Sequence, residues 1–216
     1  MMHPATLVPS LLAGWPGFAA LLLCIVLAKA VITLTARRRY REMRVSSALR
    51  GLDTATYRHF PGLRLPHPDE RRPVRIPHVV VSPFGIFVID TVRRRGSIFG
   101  TEYDARWTQR LRFHTRRIAN PMRRNRIHVE ALMAYLNLPD PPFRPVVVFT
   151  NPCILETPHP DVVPTDQLIP WIRRHKVTIL DSSMVARADA RLSDLRDALN
   201  RPTETQAHEL HVTQAV

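Results

Sequence analysis

The chain has 216 residues, a formal net charge of +13 and an isoelectric point near 11.2. This length suits one well-buried domain with an accessory segment, and the charge, carried almost entirely by arginine, favours polyanions such as nucleic acid or an anionic membrane surface. A basic surface kept for solubility is the alternative explanation. Two cysteines, Cys24 and Cys153, exclude a disulfide framework and a thiolate metal site, and no glycine-rich phosphate loop is present.

The N-terminal part of the sequence predicts a membrane anchor. Residues 11–34 are apolar apart from Lys29, which is about the 20 residues needed to cross a bilayer core. Arginines crowd residues 36–44, whereas residues 1–10 contain neither lysine nor arginine. The positive-inside rule then predicts a single-pass protein of the inner or plasma membrane, with its N-terminus outside and its soluble domain in the cytoplasm. A cleaved signal peptide is the alternative, with a possible site at 28–30.

Four segments are expected from this pattern. They are a transmembrane anchor at 1–36, a basic juxtamembrane segment at 37–44, a folded domain at 45–200 and a disordered polar tail at 201–216. The basic segment can serve topology alone, so it does not by itself indicate a nucleic-acid site.

The folded domain starts with a predicted short helix over 45–60, followed by a proline-rich stretch at 61–77 that indicates loop and edge strand. A hairpin follows, in which "HVVV" and "IFVID" flank a turn at 82–85. Both arms are apolar throughout, so the hairpin is expected at the centre of a sheet that is covered on both faces.

The second half of the domain alternates between β and α patterns. Weak alternation over 97–118 predicts one or two strands, although a helix also fits the spacing of its apolar residues. Asn120 and Pro121 are typical of a helix start, and that helix is expected to reach about residue 138. A buried strand at 146–150 and two further helices, within 165–175 and 183–200, complete an α/β fold with a mixed central sheet flanked by helices.

Several of these pieces occur together in one known family. "HVVVSPFGIFVID", "RGSIFG", Trp107 and "NPMRRNRIHVEAL" follow one another in an order that resembles the nuclease-related domain (NERD) family over roughly 45–150. That family is similar to restriction-endonuclease-like nucleases, so the resemblance implies a mixed sheet flanked by helices.

The resemblance also implies a specific active site. Such nucleases hold Mg²⁺ or Mn²⁺ with two acids on adjacent strands and place a lysine two residues after the second acid. Asp90 stands at the second acid, but Pro77 replaces the first acid and Val92 replaces the lysine. We therefore expect a catalytically degenerate domain without metal or cofactor. Asp90 would then be a strand-end carboxylate paired with an arginine of the run 93–95. The alternative is a divergent metal-dependent nuclease that uses Asp90 and a divalent cation.

A basic stretch with interleaved aromatic residues follows the hairpin. Arginine forks and aromatic rings suit a phosphate backbone with stacked bases, and they equally suit anionic lipid headgroups or an acidic protein partner. Core packing is the preferred explanation for Phe99 and Trp107, and scattered histidines give no zinc site. The arginines predicted to form a binding face are Arg93, Arg94, Arg95, Arg106, Arg110, Arg116, Arg117, Arg123 and Arg124.

The sequence therefore favours a membrane-anchored cytoplasmic domain, catalytically degenerate, that binds nucleic acid or another polyanion. A membrane-surface interaction protein without a nucleic-acid role is the second alternative.

Overall fold

A computed structural model of the chain describes residues 22–29, 31–32, 43–66, 73–138 and 142–200. These residues divide into two units, with the boundary between 41 and 42. The first unit contains the helical residues 22–29 and 31–32, which are apolar apart from Lys29. Among the described residues, no helix has the length and apolarity required to cross a membrane. The predicted anchor at 11–34 is therefore not supported, although much of it, like the tail at 201–216, lies outside the described residues.

The second unit contains two mixed sheets. The first has five strands in the order β1-β2-β3-β7-β9, and the second has four in the order β6-β5-β4-β8. The strands are β1 (Arg58–Leu65), β2 (Val74–Ser82), β3 (Gly85–Val92), β4 (Gly96–Phe99), β5 (Arg106–Arg110), β6 (Thr115–Ala119), β7 (Phe143–Phe149), β8 (Cys153–Leu155) and β9 (Val162–Pro164).

The predicted central hairpin is confirmed. β2 and β3 pair antiparallel with Ser82 opposite Gly85, so Pro83 and Phe84 form the two-residue turn. Gly85 has φ of 132°, and a Cβ there would lie 2.8 Å from the carbonyl oxygen of Pro142, so this position favours glycine. β3 pairs parallel with β7 on its other side, and all of its residues are buried. The proline-rich stretch 61–77 was predicted in part: residues 61–65 lie on β1, which is an edge strand, whereas residues 74–77 lie on β2, which is an inner strand.

The expectation of one sheet was wrong. Residues 97–118 were expected to add one or two strands, and the structure has three strands in this region, β4, β5 and β6, which form most of the second sheet. The short strand β8 pairs parallel with β4, and neither β8 nor β9 was predicted. Three-residue strands carry too few alternating positions to be recognised from a pattern.

Four helices flank the first sheet: α1 (43–49), α2 (Pro121–Leu136), α3 (Leu168–Arg173) and α4 (Ser182–Asn200). α1 is shorter than the predicted helix over 45–60, because the chain turns after residue 50 and enters β1 at Arg58. α2 begins as predicted, with the Asn120 side chain accepting from the backbone N–H of Met122 at 2.9 Å. A single 3₁₀ turn, Thr165–Gln167, precedes α3.

The helices explain why the hairpin is apolar on both faces. α2 and α4 pack on one face of the first sheet through Leu132 and Leu192, and α1 and α3 pack on the other through Leu49 and Ile172. A third cluster joins the second sheet to the first, with Trp107 as its largest side chain. The residues after β3 and the start of α2 therefore lie where the two sheets meet.

Candidate functional site

Asp90 lies on β3, on the side of the first sheet that α2 covers. The register between β2 and β3 pairs His78 with Ile89, so its continuation places Pro77 directly opposite Asp90. On the other side, Asp90 pairs with Val147 of β7. The geometry thus places Pro77, the residue at the expected first-acid position, on the strand adjacent to Asp90.

Both oxygens of the Asp90 carboxylate are occupied by protein donors. Oδ1 accepts from the backbone N–H of Thr91 at 2.9 Å, and Oδ2 lies 2.7 Å from both Nε and Nη2 of Arg124. Arg124 Nη2 also donates to the Thr91 carbonyl at 3.4 Å. The Asp90 side chain is 2% exposed, whereas that of Arg124 is 52% exposed. The carboxylate is therefore buried under a guanidinium that comes from α2, and not from the run 93–95 as the sequence suggested.

The residues around Asp90 do not fit a divalent cation. Mg²⁺ needs oxygen ligands at about 2.0–2.1 Å in near-octahedral geometry, and a bound guanidinium occupies the ligand face of Asp90 with a positive charge. Val92 packs in the third apolar cluster with Ile98 and Phe149, so it offers no group to a reacting water. Within the described part of the chain, no three His, Cys, Asp or Glu side chains are grouped to hold a metal ion.

Two buried polar side chains of α2, Asn125 and His128, follow Arg124 on the same helix, and neither was predicted from the sequence. His128 is 4% exposed and Asn125 is 1% exposed. Burial lowers the pKa of His128, and the charge of Asp90 opposes that shift. His128 Nδ1 and Asn125 Oδ1 have no hydrogen-bond partner among the described residues. Their signal was present in the sequence, because both occupy the helical spacing of the buried face of α2.

The predicted arginines do not form one continuous face. Arg106 and Arg110 lie in phase on β5, and Arg117 lies opposite Thr108 on β6, so these three share the outer face of the second sheet. Arg116 is in the other phase, where its Nε donates to Oε1 of Gln109 at 2.8 Å. Arg93, Arg94 and Arg95 connect β3 to β4, whereas Arg123 and Arg124 lie on α2.

The outer face of the second sheet carries exposed aromatic and apolar side chains beside these arginines. The Arg110 guanidinium lies 4.8 Å from the ring centroid of Phe99, in a cation–π contact. Phe113, in the turn between β5 and β6, is 87% exposed, and Ile154 of β8 is 63% exposed. Glu156 is 3.9 Å from Arg110 Nη2. The other face of β5 buries Trp107 and is closed to ligands.

Comparison with known proteins identifies the matching part of the chain. The sequence model of the nuclease-related domain matches residues 37–150, just over half of the chain. The chain is also 36% identical over 58 residues to an uncharacterized protein of Bacillus anthracis. That stretch covers 27% of this chain and 27% of the relative, so the match spans only about a quarter of that protein. No solved structure matches the chain.

Proposed function

Because this chain belongs to the nuclease-related domain (NERD) family, we propose that it is a non-hydrolytic member that binds single-stranded nucleic acid. In this proposal the outer face of the second sheet is the binding surface. The Asp90–Arg124 ion pair, which has a structural role, occupies the position of the nuclease centre. The resemblance to restriction-endonuclease-like nucleases supplies the expected centre, and the residues at its three positions support its loss.

The observation that carries the loss of hydrolysis is the Asp90–Arg124 pair. A metal-dependent nuclease needs carboxylate oxygens free to bind a cation and a group that positions the attacking water. Here both Asp90 oxygens accept from the protein, Pro77 faces Asp90 across the hairpin, and Val92 lies in an apolar cluster. A cation would have to displace Arg124 and would gain a single buried carboxylate.

The outer face of the second sheet supports nucleic-acid binding. Three arginines, Arg106, Arg110 and Arg117, flank a partly exposed Phe99, and Phe113 projects nearby from the β5–β6 turn. Guanidinium groups bind phosphates in a fork geometry, and exposed rings stack on unpaired bases. A single strand presents both groups at once, whereas bases in a duplex are already stacked on one another.

A cleavage assay tests the loss of hydrolysis. The full chain is incubated with single- and double-stranded DNA and RNA in Mg²⁺ or Mn²⁺, beside Asp90→Asn and the matched surface control Asp166→Asn. We expect no cleavage above the level of the Asp90→Asn variant. Cleavage by the wild type that Asp90→Asn abolishes and Asp166→Asn retains would overturn this part of the proposal.

Salt-dependent binding tests the surface. Fluorescence anisotropy gives the affinity for labelled single-stranded oligonucleotides between about 50 and 200 mM salt. A plot of log affinity against log salt has a negative slope, and each phosphate contact that is lost makes this slope shallower by about 0.7 for single strands. The triple variant Arg106→Gln/Arg110→Gln/Arg117→Gln should therefore lose about 2 from the slope. Its charge-matched control, Arg50→Gln/Arg64→Gln/Arg187→Gln, lies outside the second sheet and should keep the slope. Equal losses in both variants would show that the surface is not specific.

Vesicle binding distinguishes nucleic acid from a membrane surface as the ligand of this face. Binding to phosphatidylserine-containing vesicles with no salt-dependent binding of oligonucleotides would contradict the proposal and favour the membrane-surface alternative.

A further inference from the structure

A cavity of about 330 Å³ lies between α2 and β7, and the residues on either side of Arg124 in the chain, Arg123 and Asn125, help to line it. Phe143, Pro145 and Val147 line it from β7, and Val147 is the strand partner of Asp90. Met122 and Val129 line it from α2. These side chains give the cavity apolar surfaces on both sides, and the volume is within the range of small-molecule sites.

Asn125 brings a buried acceptor to this cavity. Its Nδ2 donates to the carbonyls of Val88 at 3.0 Å and Val146 at 3.1 Å, which fixes the orientation of the amide because both partners are acceptors. Oδ1 therefore stays an acceptor, and it has no partner among the described residues although the side chain is 1% exposed and lines the cavity. Buried polar atoms are almost always hydrogen-bonded in native proteins, so Oδ1 calls for a hydrogen-bond donor that the described residues do not supply.

The rim of the cavity carries both signs of charge. Glu102 and Asp161 contribute carboxylates, while Arg123 and Arg126 contribute guanidinium groups. Arg126 interacts electrostatically with Glu102 and lowers the pKa of that carboxyl, after the larger effects of hydrogen bonds from Tyr103 and His159. A ligand with an apolar body, hydrogen-bond donors and a negative charge would match these groups.

We propose that this cavity holds one nucleobase that carries an exocyclic amino group, with its 5′-phosphate bound by Arg126. This inference rests on the proposed nucleic-acid function and extends it from the sheet surface to a base-recognition site. The base would lie between the apolar residues of β7 and α2, and its amino group would donate one hydrogen bond to Asn125 Oδ1 and the other to the carboxylate of Asp161. A simple amine ligand is disfavoured by the net charge of +13, whereas a nucleotide combines donors with an anion.

The site predicts an order of affinities that calorimetry of the full chain can measure. AMP, GMP and CMP should bind more tightly than UMP, whose base has no amino group, and ribose 5-phosphate should bind at least about tenfold more weakly than any of them. Asp161→Asn should weaken the amino-bearing nucleotides about tenfold or more, because a charged acceptor is lost. Asp166→Asn, an exposed acid on the 3₁₀ turn, is the matched control and should change nothing.

Two further variants keep the test independent of folding defects. Val129→Phe fills the cavity with an apolar ring and should abolish nucleotide binding while the thermal transition remains. Arg126→Gln should remove the preference for a nucleotide over its nucleoside, and Arg64→Gln should retain it. If ribose 5-phosphate binds as well as the nucleotides, or Asp161→Asn has no effect, the base-recognition site is refuted.

The outcome can be separated from that of the proposed function. If mononucleotides do not bind but oligonucleotides bind with a steep salt dependence, the base-recognition site is refuted and the proposed binding surface on the second sheet is retained. Mononucleotide binding that Val129→Phe abolishes, without any oligonucleotide binding, supports the cavity and overturns the proposed binding of strands.

Discussion

The substitution Arg124→Gln tests whether the Asp90–Arg124 pair stabilises the fold. It removes both guanidinium donors from Asp90 Oδ2 and leaves the carboxylate with the Thr91 N–H alone. Breaking a fully buried pair costs about 3–5 kcal/mol, because one charge is left without compensation. Asp90 is 2% exposed but Arg124 is 52% exposed, so water can replace part of what the guanidinium supplies. We therefore expect a loss of about 2–3 kcal/mol in the free energy of unfolding.

A double-mutant cycle isolates the interaction between the two side chains. Urea unfolding at pH 7 is followed by circular dichroism for the wild type, Asp90→Asn, Arg124→Gln and the double variant. Two neutral amides can share a hydrogen bond, so the double variant should be more stable than the sum of the single losses predicts, by about 1–2 kcal/mol. Arg123→Gln, on the exposed face of the same helix, is the control and should cost less than about 0.5 kcal/mol.

The reasoning would be refuted by additive losses in the cycle, or by an Arg124→Gln variant as stable as Arg123→Gln. Either result means that Asp90 does not depend on Arg124 and is free to bind another partner. Asp90 would then be available to a divalent cation, and the proposed loss of hydrolysis would no longer follow from the ion pair.

Three other predictions follow from buried or exposed side chains. Burial lowers the pKa of His59 to about 4 and that of His78 to about 3, and the charges of His59 and Arg75 lower the pKa of His78 further to a smaller extent. Below about pH 6.5 the unfolded chain binds protons on these two rings, whereas the folded chain does not. Their contribution to the free energy of unfolding is therefore complete above that pH and is lost as the pH falls toward 4. From pH 6.5 to 5, urea unfolding should show a loss approaching 2 kcal/mol per ring, which the double variant His59→Gln/His78→Gln should lack. Asn120→Asp keeps the side-chain oxygen that caps α2 but removes the Nδ2 group, which donates to three carbonyls of the loop 101–104. Thermal unfolding should show a loss of about 2–3 kcal/mol in stability, which is more than the loss of a helix cap alone. Phe113→Ser should leave the melting temperature unchanged and weaken oligonucleotide binding about fivefold or more in the anisotropy assay, since the ring is 87% exposed.

The sequence predicted best those elements whose patterns are local. The uninterrupted apolar arms around Ser82–Gly85 indicated a central hairpin, and Asn120 with Pro121 indicated a helix start, because turn chemistry and capping are decided within a few residues. The division into two sheets was not predictable in this way. It depends on whether β4 leaves β3 and pairs with β8 far along the chain, and that pairing leaves no periodic signal in either segment.

The candidate site was predicted only in part, for a related reason. The family pattern placed Asp90, Pro77 and Val92 at one site, and the strand register agrees for the first two. It could not supply the partner of Asp90, because Arg124 is 34 residues away and its distance is set by how α2 packs on the sheet. Asn125 was missed because a buried asparagine looks like an interruption of the apolar stripe until its two carbonyl partners are known.

The ion pair also explains how the fold can tolerate Asp90 without a metal. A buried carboxylate needs compensation by a cation or by hydrogen bonds, since burial of an unpaired charge costs several kcal/mol. In a metal-dependent centre the cation supplies that compensation only when it is bound; here Arg124, a residue of the chain itself, supplies it. In the proposed non-hydrolytic chain, which has Pro77 at the first-acid position and Val92 at the lysine position, this replacement would stabilise the fold without a divalent ion. The cavity beside it is unaffected, because Asn125 holds β3 and β7 together from the neighbouring position of α2. The proposed loss of hydrolysis and the proposed base-binding cavity are therefore compatible with each other.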